Sequence, residues 1–313
     1  MYRQRYYFEY IPIEDIVTQD RTFCLSYPLF DDILTESIRR FGIIQPIIVF
    51  DSEPYIVITG FKRLESALSL GFEEIPCIIR QVGQMDALLI AVNDNLTRGF
   101  NIVEKAHCVD KMMQLGFSME EVYDLMGRIG LGRHESVVKS LIGLSWAETE
   151  LKDFVLRHRL SMKNIDYLLW FDPNEREKII AYLSGISFTD SLLREILEML
   201  SLTKLKKGSL PEGELEGAKD AFEIRKRLKR YVNPGISSLD GEFKKLKESC
   251  GFPKNIDIKV DPFFEKEYID IIIKADSLDK VRDGLKKIEG AIEKGYMEGI
   301  FGLTKSRIHR DED

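Results

Sequence analysis

Gly42-Ile43-Ile44-Gln45-Pro46-Ile47-Ile48-Val49-Phe50 and Tyr55-Ile56-Val57-Ile58-Thr59-Gly60-Phe61-Lys62-Arg63 decide how this chain is read. Residues 47–50 and 55–58 are short and rich in β-branched side chains, and Asp51-Ser52-Glu53-Pro54 between them reads as a turn. The pattern predicts two strands joined tightly. Gly60 then stands at a strand-to-helix junction, because from Lys62 the apolar residues recur as Leu64, Ala67 and Leu68, at helical spacing. A glycine before a helix that opens with two cations is a candidate anion cradle. The free N–H groups of the first turn and the helix dipole favour a phosphate, and Lys62 and Arg63 add charge. The plain alternative is a turn with solvated charges.

Outward from this stretch, Phe30, Ile33, Leu34, Ile38 and Phe41 form an apolar stripe on a predicted helix capped by Gly42. Gly71 stops the helix after Gly60, and 75–79 returns as a strand. Met85, Leu88, Leu89, Val92 and Leu96 stripe a further helix, with Asp94 and Asn95 off its core face.

Three pieces of this region resemble the boxes of the nucleotide-binding N-terminal domain of the ParB family of DNA-partition proteins. The family's first box is Gly-x-x-Gln-Pro, matched by Gly42, Gln45 and Pro46. Its second is Gly-Glu-Arg-Arg after a strand, here Gly60-Phe61-Lys62-Arg63. Its third is Glu-Asn-(Leu/Ile)-Gln-Arg, here Asp94-Asn95-Leu96-Thr97-Arg98. The resemblance implies a CTP-responsive clamp that slides on DNA. Gly42, Gln45, Pro46, Gly60, Phe61, Lys62, Arg63 and Arg98 would bind nucleotide, and Asp94 and Asn95 would bind Mg2+, since oxygen donors suit a hard cation that also bridges phosphates. Enzyme status stays open. Phe61 replaces the family glutamate and cannot position water or metal as a carboxylate does, so CTP hydrolysis is expected to be weak or absent. Ile11 to Ile16 is similar to the family's opening strand. The Asn-Pro-x-Gln-Pro-Arg segment that should follow is not reproduced in 18–27, where Arg21 or Thr22 stands in. The family's basic arm, which engages a ParA-type ATPase, has little room in 2–10, so a ParA partner is left open.

From Val103 to Leu200 the pattern is helical. Val103, Ala106, Val109 and Met113 are spaced for one buried face. Ser118-Met119-Glu120-Glu121 is a capping box. The helix it starts ends near Gly127, and a turn with Gly130 and Gly132 leads to a helix over 134–144. Helix, glycine turn, helix reads as a helix-turn-helix that would contact double-stranded DNA. Candidate DNA-contacting residues are Arg128, Arg133, His134 and Lys139, with Glu135 beside them, and Arg157, Arg159 and Lys163 further on. The plain alternative is a helical hairpin with solvated charges.

Residues 204–217 read as a linker. Arg225 to Arg230 is a basic run, either a solvated helix end or a non-specific DNA contact. A helix over 239–246, strands at 256–260 and 268–273, and a final helix with Val281, Leu285 and Ile288 behind a Ser277 cap are similar to the family's C-terminal dimerisation domain. A piece so small rarely folds alone, which favours a homodimer. The tail from Thr304 is expected to be disordered.

The expected fold class is an α+β N-terminal ParB-like domain (1–100), an all-α helix-turn-helix middle domain (101–203), a linker with the basic segment (204–235) and a small α/β C-terminal domain of αββα order (236–303). Over 313 residues, an apolar fraction of 44% and a charged fraction of 31% describe a core-forming protein. No apolar run is long enough to span a bilayer, so a cytoplasmic, nucleoid-associated protein without membrane contact is expected. The net charge of −7 excludes a uniformly cationic coat but not a local basic face. Cys24, Cys77, Cys108 and Cys250 lack metal-site spacing. Two rival readings remain. One is a DNA-binding regulator that does without nucleotide. The other is a phosphotransferase on the same fold, since sulfiredoxin-like chemistry would need a cysteine near Gly60.

Overall fold

The computed structural model describes residues 6–232, 234–261, 264 and 266–305. The chain divides between Gly185 and Ile186 into two compact units. It is mostly helical with a small sheet. Among the described residues no helix is long and apolar enough to cross a membrane.

The first unit opens with strand β1 (Tyr6–Pro12). Next come α1 (Asp32–Phe41), β2 (Ile47–Phe50), β3 (Ile56–Thr59), α2 (Phe61–Ser69), β4 (Glu74–Arg80) and α3 (Gln84–Leu96). The sheet order is β1-β4-β2-β3. β2 and β3 form the expected antiparallel hairpin, while β4 runs parallel to β2 and antiparallel to β1. A parallel neighbour needs a crossover, and α2 lies within it. Ile47, Val49, Val57, Ile58, Leu64, Ala67, Ile75, Cys77, Ala87 and Leu88 are almost completely buried and make the core between sheet and helices.

Six helices complete the unit: α4 (Ile102–Gln114), α5 (Met119–Arg128), α6 (Glu135–Ser145), α7 (Thr149–His158), α8 (Met162–Trp170) and α9 (Pro173–Leu183). Reciprocal capping boxes start three of them, at Asn101/Glu104, Ser118/Glu121 and Asp172/Glu175. Each satisfies two of the orphan donors at a helix start.

The second unit holds α10 (Asp190–Lys207), α11 (Glu212–Leu215), α12 (Ala221–Val232), α13 (Pro234–Ser249), the antiparallel pair β5 (Ile256–Lys259) and β6 (Asp270–Ile273), α14 (Leu278–Glu293) and α15 (Tyr296–Lys305).

Several expectations need correction. β1 ends at Pro12, and Ile13–Asp15 is a 3-10 turn rather than strand. The stripe on α1 splits between two faces. Ile38 is buried and Leu34 half-buried, whereas Phe30, Ile33 and Phe41 are 55%, 85% and 71% exposed. The buried face is fixed by Thr35, whose hydroxyl lies 2.9 Å from that of Ser66 on α2. On α4 it is Met112, not Met113, that turns inward. The boundary set at 203/204 falls inside α10, and the segment read as a linker holds α11 and α12. Gly208 is the left-handed cap of α10, with φ 78°, and three lysines in the last turn face the negative end of the dipole. The basic run lies within α12, where Arg225 pairs with Glu195, Arg227 with Glu223 and Lys229 with Asp240. α14 is not the final helix. α15 follows and buries Met297, Ile300, Leu303 and Thr304, so order extends past the expected start of the tail, and 306–313 lie outside the described residues.

Candidate functional site

Gly60 has φ 103° and caps α2 without a side chain. A methyl group there would sit 2.7 Å from Ile47 Cγ2 and 3.2 Å from Ile47 Cα, so strand β2 presses against the glycine backbone. Gly42 closes α1 at φ 71°, and its N–H donates to the Ile38 carbonyl. The first and second boxes are therefore both built on backbone that a side chain would strain.

Arg63 joins the boxes. Its Nη1 donates to the carbonyls of Gln45 at 2.7 Å and Pro46 at 2.8 Å. Its Nη2 lies 3.7 Å from Asp94 Oδ2 on α3. The same Oδ2 accepts the Thr59 hydroxyl at 2.7 Å. Burial lowers the Arg63 pKa, and the Asp94 carboxylate pulls it the other way. Lys62 points toward Asp31, the N-cap of α1, at 3.6 Å. Asp94 also borders a cleft of about 370 Å³ with Ile48, Leu89, Ile90 and Asn93.

Other predicted residues stand apart from this cluster. Phe61 is 2% exposed, and its ring faces the Arg21 guanidinium at 5.7 Å. Only its backbone N–H, in the first turn of α2, is placed to serve an anion. Asn95 does not join Asp94 as a second metal donor. Its amide donates to the Ala91 carbonyl, and its oxygen accepts from Arg98. Consecutive helical residues point about 100° apart, so Asp94 faces α2 while Asn95 faces the start of α4. Among the described residues no cluster of three or more His, Cys, Asp or Glu could hold a metal. Asp94 fits Mg2+ only as a single carboxylate that shares the ion with phosphates and water. Arg98 makes a forked pair with Glu104 at 2.9 and 3.2 Å.

α5 and α6 are joined by 129–134, as the glycine turn requires. Arg128 donates to Asn93 at 3.1 Å. The Arg133 guanidinium packs over Gly127, where an added methyl group would meet it at 2.3 Å. His134 is the exposed N-cap of α6. Lys139 pairs with Glu135 at 2.8 Å, and both are largely solvated. Arg157 lies in the last turn of α7, Arg159 caps it at φ 50°, and Lys163 lies in the first turn of α8, all exposed.

The family model for the ParB N-terminal domain matches residues 4–96. The chain is 29% identical over 212 residues to the nucleoid occlusion protein of Halalkalibacterium halodurans, covering 63% of this chain and 71% of that one. It is 28% identical over 245 residues to a probable plasmid-partitioning protein ParB of Thermus thermophilus, covering 72% and 73%. To the chromosome-partitioning protein ParB of Myxococcus xanthus it is 30% identical over 165 residues, covering 51% and 53%.

The region that the family model matches is tied to α4 by groups that sequence reasoning passed over. Glu104 is fully buried. It accepts from the backbone N–H of Asn101 and Tyr27 as well as from Arg98, and Asn101 Nδ2 donates to the Tyr27 carbonyl. Asn101-x-x-Glu104 is a capping-box pattern and was there to be read. Thr59, which orients Asp94, carried no such signal. Arg21 pairs with Glu65 at 2.5 Å, one turn beyond Phe61 on α2.

Proposed function

We propose that this ParB-like DNA-binding partition protein is a CTP-responsive clamp whose N-terminal domain binds nucleotide and Mg2+. The observation that carries this reading is the junction at Arg63. One guanidinium gathers the Gln45 and Pro46 carbonyls and the Asp94 carboxylate beside the side-chain-free start of α2. A triphosphate would engage the α2 N–H groups, Lys62 and Arg63, and Asp94 would share the metal with the phosphates. Mg2+ supplies charge neutralisation there when bound. No carboxylate stands at position 61, so hydrolysis is very slow or absent.

The helical part supports double-stranded DNA binding, with α6 as the reading helix and Arg133, His134 and Lys139 at its exposed start. Arg157, Arg159 and Lys163 add positioning contacts to phosphate. The second unit supports a homodimer. On α14, Leu278, Leu285 and Ile292 are 76%, 52% and 47% exposed, with Val281 and Ile288 half-buried between them. That is a heptad seam, which a second copy would cover.

The test is titration of purified protein with CTP, ATP and GTP in Mg2+, repeated for Arg63→Ala. Micromolar, CTP-selective binding that the variant loses supports the clamp. The Arg63–Asp94 pair also favours a second reading, in which the cation is already neutralised and the domain serves as a nucleotide-free scaffold for DNA binding. Absence of binding by any nucleotide would establish that reading instead.

A further inference from the structure

Thr59 ends β3 and is buried. The ladder between β2 and β3 slips just before it. Val49 pairs with Val57, but Ile48 pairs with Thr59, so Ile58 is the extra residue of a bulge. In an unbroken ladder Ile58 would stand opposite Ile48. Bulges re-aim the side chains beside them. Residues directly opposite in an antiparallel pair share a face of the sheet. Thr59 therefore takes the face of Ile48, and Ile48 borders the cleft beside Asp94 on α3.

The hydroxyl brought there by the bulge engages one carboxylate oxygen. Thr59 Oγ1 donates to Asp94 Oδ2 at 2.7 Å, and Arg63 Nη2 lies 3.7 Å from that same oxygen. Among the described residues Asp94 Oδ1 has no hydrogen-bond partner. Arg63 does not fix the carboxylate by itself. Its Nη1 is committed to the Gln45 and Pro46 carbonyls, and 3.7 Å is too long for a hydrogen bond. The Asp94 side chain is 40% exposed, so its orientation comes from the Thr59 hydroxyl rather than from tight packing.

We propose, building on the nucleotide and Mg2+ reading of this site, that Thr59 is a positioning residue that makes Asp94 a one-oxygen ligand and thereby sets which divalent cation is accepted. Oδ2 already accepts a hydroxyl proton and faces a guanidinium, which leaves Oδ1 to a cation and disfavours binding through both oxygens. Mg2+ keeps several waters and takes one or two carboxylates together with phosphates. Ca2+ takes more oxygens at longer distances and readily uses both from one carboxylate. The arrangement at Asp94 suits Mg2+. Groups that hydrogen-bond a ligating carboxylate hold it in place, and losing one costs about 10–100-fold in metal affinity.

The test measures CTP affinity by isothermal titration in Mg2+, in Ca2+ and in EDTA, for the full chain and for Thr59→Val and Thr59→Ser. Valine keeps the shape of the side chain without the hydroxyl, and serine keeps the hydroxyl. The unchanged chain is expected to bind more tightly in Mg2+ than in Ca2+. Thr59→Val should lose about tenfold or more in Mg2+ and nothing in EDTA, so that the preference for Mg2+ over Ca2+ collapses. Thr59→Ser should retain it. Urea unfolding of each variant without nucleotide reports its folding separately. Equal losses in all three conditions would reduce Thr59 to a structural residue. Equal affinity of the unchanged chain in Mg2+ and Ca2+, or an unaltered ratio in Thr59→Val, would overturn the proposal and leave the nucleotide reading standing. No CTP binding by the unchanged chain, or binding equal in Mg2+ and EDTA, would remove that reading and this proposal with it.

Discussion

Arg63 Nη2 lies 3.7 Å from Asp94 Oδ2, across 31 residues of sequence and from one helix to another. The contact is held from both sides. Thr59 fixes the carboxylate, and the Gln45 and Pro46 carbonyls fix the guanidinium. The pair is the point at which a bound anion and a bound cation would each find a partner already oriented, and each would have to replace the other's charge.

Asp94→Asn separates the two roles of the carboxylate. The amide keeps the shape and an acceptor for Thr59 but loses the charge. With Asp94 as a metal ligand, CTP affinity in Mg2+ falls by about tenfold or more, and affinity in EDTA does not fall. Isothermal titration in both conditions measures this. An equal rise in both would show that Asp94 serves only as the counter-charge of Arg63.

Gly60→Ala tests the cradle itself. The new Cβ would lie 2.7 Å from Ile47 Cγ2 at φ 103°. Left-handed strain costs about 1–3 kcal/mol, and overpacking a filled core costs a further ~1–3 kcal/mol. Gly71→Ala is the control, with φ 72° and nothing within 4 Å. It should lose only the backbone part, roughly 1–2 kcal/mol. Urea unfolding that gives equal losses for the two variants would show that Ile47 yields.

What the sequence disclosed follows from the range of the forces involved. The β2–β3 hairpin, the start of α2 and the helices α4 to α6 rest on local signals of periodicity, turn residues and caps, and these were legible. The burial of α1 was not. Ile33 and Leu34 lie on different faces, and the choice between them is made by contact with Ser66, 31 residues beyond Thr35. The three boxes were legible as words, but their meeting at Arg63 is a tertiary fact. Asn95 shows the limit of carrying a motif over: its neighbour Asp94 faces the site while its own amide is committed to Ala91 and Arg98. The helix α15 was overlooked although Met297, Ile300 and Leu303 recur at helical intervals.

Arg98→Ala removes one partner of a carboxylate that has no exposed surface. Backbone donors from Asn101 and Tyr27 remain, and Arg98 is itself half exposed, so the cost is about 1–3 kcal/mol, below that of breaking a fully buried pair. Glu104→Ala should cost at least as much. The double variant should lose less than the sum of the two, because the second change removes a group already deprived of its partner. Strict additivity in chemical unfolding would show that the pair contributes no coupling.

His107 makes stability depend on pH. Burial lowers its pKa below the ordinary 6.5; the charges of Lys152 and Lys111 push the same way, and the bond to the Leu25 carbonyl and Asp110 oppose them. The neutral ring is therefore the form that the fold favours. Below pH 6.5 the unfolded chain binds a proton that the folded chain resists, so stability rises with pH across this window. The contribution is complete above pH 6.5 and is lost as pH falls toward the depressed value, at up to about 1.4 kcal/mol per pH unit. His107→Gln should flatten the slope of unfolding free energy between about pH 7.5 and pH 5.5. His158, whose pKa burial and the Arg157 charge also lower, supplies a slope of the same sign in both proteins. An unchanged slope in the variant would assign the whole dependence to His158 and the carboxylates.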